Sequence, residues 1–556
     1  MRTATGRNRI RAAALAGAMS TALIVSACGS GSDPNASQAA GTTPAPTSGS
    51  GQGQSAAPSA PAKPLVIDTV FALKSADPAR NYEPTGNILA RAMYDTLVTF
   101  KGADLKTPQP SLASKWETSA DKKTYTFTLD PKAVFSDGSP VTADDVVFSL
   151  QRVGNVKGNP SFLVDGMTFT AKDAHTVVVT TKDYDPAVLG KLASPSLGIL
   201  NSKVAKAAGA TDAADAATTD KAENALDAAS MGSGPYMLDK FGLSTEVDLV
   251  PNPKYWGPVK PAFSKVALIN VPAEQQKNNV VKGDAQLALD LSPDQAAGIT
   301  GGAESTSVPS QYTFYLFTNA NAAINKWTAN PDFQNAVRQG IDYDGLIDLG
   351  GKGAQRAPGM VPVQFAGALP ADKAPKYDLA AAKASLTKSG YDGSPVEISF
   401  PSDLTQNGVS FTDMSTRIAA DLKKVGINAE LKGAPVATVL EMARAGKQQI
   451  GVWLWGPDFP DASNYLVFGP GGVVGGKRVN WQAGSDPAIE AVMKQAAAET
   501  DDTKRAELYQ QYQELLNKGP VISLIQPAQV FVSAPNLKGL AYNLIWTVNI
   551  GELSYS

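Results

Sequence analysis

One cysteine and one histidine in 556 residues set the first limits on this chain. A lone Cys28 rules out an internal disulfide, and with His175 as its only imidazole the chain cannot assemble a zinc site of the usual His or Cys type. No metal and no cofactor is therefore expected. His175 stands in Ala171-Lys172-Asp173-Ala174-His175-Thr176-Val177, which reads as a turn before a strand and suits a surface histidine better than a general base. No G-x-S-x-G string occurs, so the strained nucleophile turn of α/β-hydrolases is missing. Gly350-Gly351-Lys352-Gly353 lacks phosphate-loop spacing and reads as a turn. The carboxylate pairs Asp144-Asp145 and Asp501-Asp502 fall where helices should begin, and capping accounts for them. Counting carboxylates does not exclude a glycosidase, yet no string points to one, and an enzyme is not expected. A net charge of −3 leaves no basic stripe to neutralise phosphates, which argues against nucleic acid. Beyond the N-terminus no apolar run approaches the roughly 18 residues that a bilayer span requires.

The N-terminus is more telling. Arg2, Arg7, Arg9 and Arg11 form a basic region without an acid, and Ala12 to Val25 is apolar but too short to cross a membrane. This is the pattern of a secretory signal. Val25-Ser26-Ala27-Cys28-Gly29 follows at once and resembles the lipobox of bacterial lipoproteins, in which cleavage before the cysteine frees it for diacylglycerol attachment. The alternative is an ordinary cleaved signal with a stray thiol. Removing residues 1–27 leaves 529 residues and takes the net charge from −3 to −7. Residues 28–61, built from Gly, Ser, Ala, Pro, Thr and Gln, bury too little apolar area to offset ordering. They are expected to form a tether with a reach of roughly 30–35 Å. The protein is thus expected to be extracytoplasmic, held at the cell membrane by Cys28.

The body reads as mixed α/β. Tyr125, Phe127 and Leu129 alternate with threonines as in a half-buried strand, Asp137-Gly138-Ser139-Pro140 makes a turn, and Thr142 with Asp145 forms a capping box. The alanine-rich stretch 203–230 reads as a solvent-facing helix and loop. Val396, Ile398 and Phe400 form a strand, and Met414, Ile418, Leu422 and Val425 share one helical face closed by Gly426. A strand through Ala429 and Leu431 follows, then a helix through Val439 and Ala443, then a strand from Ile450 to Trp455. Such a β-α-β-α-β run demands parallel strands with right-handed crossovers, and ligands bind beyond the C-terminal ends of those strands.

The third strand runs into Trp455-Gly456-Pro457-Asp458-Phe459-Pro460-Asp461. Two prolines stiffen this loop, and Trp453 and Trp455 share one face of the strand. Two readings fit Asp458. It pairs with a ligand ammonium beside indole faces, a contact of order 1.5–3 kcal/mol, or it caps the helix that follows through Ala462 and Asn464.

Seven strings carry a resemblance: Tyr94-Asp95-Thr96-Leu97, Leu112-Ala113-Ser114-Lys115-Trp116, Tyr125-Thr126-Phe127-Thr128-Leu129, Phe135 through Val146, Gly232-Ser233-Gly234-Pro235-Tyr236, Asn252-Pro253-Lys254-Tyr255-Trp256-Gly257, and Ala336-Val337-Arg338-Gln339. In this order and spacing, from about Tyr94 onward, the chain resembles the family 5 extracytoplasmic solute-binding proteins of bacterial ABC importers. The resemblance implies an α/β, type II-like periplasmic binding protein with two lobes, an additional small domain and a hinge-closing cleft. Lobe I would comprise 62–94, 231–308 and 530–556, the small domain 95–230, and the second lobe 309–529. In peptide-binding members the aspartate of Trp-x-x-Asp takes the peptide ammonium, which Trp455-Gly456-Pro457-Asp458 matches. Tyr94, Trp453, Tyr312 and Trp481 would then wall the cleft, with Arg356 and Arg478 candidates for the ligand carboxylate.

The implied partners are a short peptide and a permease with its ATPase, and a monomer is expected. The family also holds binders of nickel chelates, glutathione, opines and oligosaccharides, and a signalling receptor would share the fold. Two departures stand out: Asp130-Pro131 where a basic residue is usual, and a direct run from Val337-Arg338-Gln339 into Gly340-Ile341-Asp342-Tyr343-Asp344, about one helical turn shorter than usual, which should truncate that helix and exposes the ligand's identity most.

Overall fold

The computed structural model describes residues 63–556. The signal segment, Cys28 and the tether lie outside the described residues.

Three sheets organise the body. A seven-stranded sheet has the order Glu304–Pro309, Ala528–Ser533, Leu287–Ala288, Leu65–Thr69, Val266–Asn270, Glu246–Pro251, Tyr236–Phe241. Leu65–Thr69 runs parallel to both of its neighbours, and the other pairings are antiparallel. A four-stranded antiparallel sheet is drawn wholly from residues 113–181. Here the threonine alternation of Thr124–Leu129 turns Tyr125, Phe127 and Leu129 inward. The capping box at Thr142 forms as expected: the Asp145 carboxylate accepts from the Thr142 N–H at 2.9 Å and opens helix Ala143–Val156.

A five-stranded sheet, ordered Ala429–Ala434, Val396–Pro401, Ile450–Trp455, Thr313–Thr318, Val521–Ser523, holds the β-α-β-α-β run. Its first three strands are parallel, as the alternation of strand and helix requires. Helix Phe411–Val425 buries Met414, Ile418 and Leu422 completely against this sheet and ends at Gly426, whose φ of 109° only glycine adopts freely. Ala429–Ala434 is the sheet edge, so Leu431 remains exposed although the strand forms where its pattern put it.

Between the seven- and five-stranded sheets the chain crosses twice, at 309–313 and 523–528. The crossings lie side by side: the Ser310 N–H donates to the Pro527 carbonyl at 2.8 Å, and Gln526 Nε2 donates to the Ser310 carbonyl at 2.6 Å.

The stretch 203–230 forms short helices and loops that mostly face solvent, as expected, with a buried side that was not foreseen. Ala216, Ala222 and Leu226 are buried in the apolar clusters, and Asp220 is buried in an ion network. Arg152, fully buried, donates from Nε to Asp220 at 2.7 Å and from Nη1 and Nη2 to Asp77 at 2.8 and 2.6 Å. Arg80 reaches both carboxylates at 2.6 and 3.1 Å. Two guanidinium groups thus balance two carboxylates where an unpaired charge would be costly. Burial pushes the Asp220 pKa up, but the hydrogen bonds and charge of Arg152 outweigh it and hold it below the ordinary value.

Three of the strings behind the family resemblance meet at one buried knot. Asp95 accepts from Ser233 Oγ at 2.9 Å and from the Trp256 indole N–H at 3.1 Å. Gly234 lies so close to the end of helix Pro84–Met93 that a Cβ there would stand 2.5 Å from the Met93 carbonyl carbon.

Candidate ligand-binding site

Strand Ile450–Trp455 delivers its loop to the end of the parallel run, where ligands of such sheets bind. The two readings of Asp458 separate here. Capping falls to Asp461, whose carboxylate accepts from the Ser463 N–H at 2.9 Å at the start of the 3-10 helix Ala462–Phe468. Asp461 is further fixed by Arg505 at 2.8 and 3.0 Å. Asp458 is left with another partner. Asn464 Nδ2 donates to the Asp458 carboxylate at 2.9 Å, while Asn464 Oδ1 accepts from the Asp458 N–H at 3.3 Å and from the Trp455 indole N–H at 3.0 Å. One amide therefore orients the loop backbone, the acid and the tryptophan together.

No salt bridge to Asp458 forms among the described residues. Lys191, whose charge reaches it, is paired with Asp185 at 2.7 Å and lies 4.7 Å over the Phe459 ring. Burial raises the Asp458 pKa, with the Asn464 hydrogen bond and the Lys191 charge opposing that rise only in part. The acid is half-buried and lacks a direct cationic partner, which is the state a ligand cation would relieve.

Asp458 opens into a cavity of about 260 Å³ whose walls include Tyr82, Asn87, Ser194, Tyr312 and Phe459. A second cavity of about 630 Å³ adjoins it, sharing Pro84, Gln311, Tyr312 and Thr547. Each volume is of the order of a small-molecule site, roughly 300–1,000 Å³. Contacts close over both. At one end the Tyr82 hydroxyl donates to the Asp458 carbonyl at 2.6 Å. At the other, Asn407 in the hairpin Thr405–Ser410 donates to Gln529 Oε1 at 2.9 Å, and Gly408, at φ 77°, packs on Ser292 and Pro293 with no room for a Cβ.

The expected cleft wall needs correction. Tyr312 lines both cavities. Tyr94 does not line them: it is fully buried, with Gly198 and Gly232 packed against its side chain in the knot around Asp95. Trp453 is core as well, its indole N–H donating to Gln448 at 2.9 Å. Trp481 is 7% exposed and packs on Gly519. Trp455 lines neither cavity and acts through Asn464. Arg356 is already engaged, donating from Nε and Nη2 to Asp344 at 3.0 and 2.5 Å. Arg478 lies with its guanidinium 5.9 Å over the Trp455 ring, and its buried Nε has no partner.

Sequence reasoning missed Tyr82, Asn87, Ser194 and the segment 544–547. Thr547 stands at φ 61°, unusual for a β-branched residue and held by paired backbone hydrogen bonds with Asn543 at 2.8 and 3.1 Å, a conformation that its sequence does not signal. Among the described residues no group of three or more His, Cys, Asp or Glu side chains could hold a metal ion, and no helix is long and apolar enough to cross a membrane.

Two sheet-based lobes joined by adjacent crossings, with a cleft at the ends of the parallel strands, define a solute-binding architecture. Sequence comparison gives the family: residues 107–472 match bacterial extracellular solute-binding proteins, family 5, and the chain belongs to that family. It is 28% identical over 508 residues to the Probable D,D-dipeptide-binding periplasmic protein DdpA of Escherichia coli, covering 89% of this chain and 95% of the relative. It is 25% identical over 533 residues to Di/tripeptide-binding protein 1 of Pseudomonas aeruginosa, covering 90% and 96%. The structure of DppA from Helicobacter pylori in complex with the peptide STSA superposes with a TM-score of 0.67 at 21% identity, covering 88% of this chain and 98% of the other.

Proposed function

We propose that this chain is a lipid-anchored, extracytoplasmic binding protein that captures short peptides between its lobes and hands them unchanged to a permease and its ATPase. The observation that carries this reading is Asp458: a desolvated carboxylate without a salt bridge, opening into an interlobe cavity and held by Asn464 rather than consumed as a cap. A peptide α-ammonium supplies the missing charge. Neither candidate arginine lines either cavity: Arg356 is held by Asp344, and Arg478 lies over the Trp455 ring. The names of the relatives support peptides as the ligand class, and the Arg-rich N-terminus with Cys28 supports the anchor. Closing on the ligand around the two crossings delivers a monomeric carrier without chemistry.

Calorimetric titration of the full-length chain with trialanine and N-acetyl-trialanine tests the reading. Acetylation should weaken binding about ten-fold or more, since a charge-assisted hydrogen bond contributes roughly 1.5–3 kcal/mol. Equal affinities would remove the ammonium from the account.

A further inference from the structure

The larger cavity has its own chemistry. Its lining includes Glu274 and the exposed Asp290, two residues past the short strand Leu287–Ala288. The wall from the opposite lobe is the hairpin segment Thr405, Gln406 and Asn407, and neither cavity has a lysine or arginine among its lining residues. Cation-poor walls on both cavities are selective: they favour a positive guest and disfavour a negative one.

Asp290 is built in rather than incidental. The fully buried Gln276 grips it twice, accepting from the Asp290 N–H at 3.1 Å and donating Nε2 to the Asp290 carboxylate at 3.2 Å, while the same Nε2 donates to the Val271 carbonyl at 2.8 Å. The Val70 N–H donates to the same carboxylate oxygen, Oδ2, at 2.7 Å. Every one of these partners is neutral. The surrounding protein desolvates the carboxylate and raises its pKa, with no opposing cation, yet the side chain stays accessible from the cavity. A carboxylate anchored by neutral donors, in a cavity whose one other charged lining residue is Glu274, is arranged to receive a cation from outside.

We infer that the larger cavity is a second subsite that takes an ammonium or guanidinium group on Asp290, so that the favoured ligands are short peptides with a basic side chain beyond the N-terminal residue. This rests on the reading of Asp458 as the site of the α-ammonium, since the shared wall at Gln311, Tyr312 and Thr547 makes the two cavities one path for a single ligand.

The test is titration of the full-length chain with three peptides, Ala-Ala-Ala, Ala-Lys-Ala and Ala-Glu-Ala, repeated on Asp290→Asn. The lysine peptide should bind about ten-fold or more tighter than the glutamate peptide, equal to about 1.4 kcal/mol. Asp290→Asn should bring the two within about two-fold of each other, while its trialanine affinity stays within about two-fold of the parent, since Asn keeps an oxygen for the Val70 N–H. Trialanine binding with no preference between lysine and glutamate in the unaltered chain overturns this inference alone. So does a preference that survives in Asp290→Asn. Failure of the folded chain to bind any of the three overturns the peptide reading itself, and this inference with it.

Discussion

Replacing Asp458 by asparagine isolates charge from shape. The substitution keeps an oxygen to accept from Asn464 Nδ2, at 2.9 Å in the parent, so the amide that also orients Trp455 retains its partners. What is lost is the negative charge facing the cavity. A charge-assisted hydrogen bond contributes roughly 1.5–3 kcal/mol, and each 1.4 kcal/mol is a factor of ten, so peptide affinity should fall about 10- to 150-fold. Folding should not suffer. The folded-state pKa of Asp458 is raised, chiefly by burial, so its stabilising influence is confined to pH below the unfolded value and is lost as pH rises through the folded value. At neutral pH the ionised acid therefore opposes folding, and asparagine should leave the melting temperature unchanged or slightly higher. Calorimetric titration with a free-amino tripeptide, paired with thermal melts, reads both quantities. Affinity within two-fold of the parent, in a protein that melts normally, would refute the assignment. A melting temperature that collapses would instead show that the acid is structural.

Three further outcomes follow from the same geometry. Because an ammonium requires ionised Asp458, peptide affinity should weaken on acidification at a pH above the ordinary carboxylate value of 3.8, approaching ten-fold per pH unit below the raised pKa; its neighbours Tyr82 and Tyr465, pushed up by burial, stay neutral throughout, and titrations at stepped pH should show this dependence vanish in Asp458→Asn. Arg152→Met leaves Asp77 and Asp220 with only Arg80 between them, and urea denaturation should register a loss of about 3–5 kcal/mol, with no loss if the network is dispensable. Cys28→Ala should abolish diacylglycerol attachment and release the protein from the membrane fraction, as intact-mass measurement and fractionation would show; an unchanged membrane fraction would point to another anchor.

Local patterns carried much of this fold. The face of Met414, Ile418 and Leu422, the Gly426 stop and the parallel run to Trp455 were legible because each depends on contacts whose periodicity is written in a few turns of chain. The loop at Asp458 was legible for the same reason: it ends a strand whose direction was fixed. Tyr94 was misjudged because Gly198 and Gly232, more than 100 residues away, decide that it is core. Within the mostly solvent-facing stretch 203–230 the burial of Asp220 was not legible, because it is held by Arg152, 68 residues upstream. Asp290 left no local signature, since it follows a strand of two residues whose partners at 65–69 and 528–533 come from opposite ends of the body. Asn464 was named only as part of a cap; its use as a clamp depends on Asp461 taking that cap, a competition between two similar acids that spacing does not resolve.

Native mass spectrometry of the full chain as isolated from cells, followed by denaturing release of whatever occupies the cleft, addresses the central claim most directly. The released species should be intact short peptides with free amino termini, and added peptide should be bound and recovered with its mass unchanged. Release of a sugar or a metal chelate, or recovery of added peptide as cleaved fragments, would contradict it.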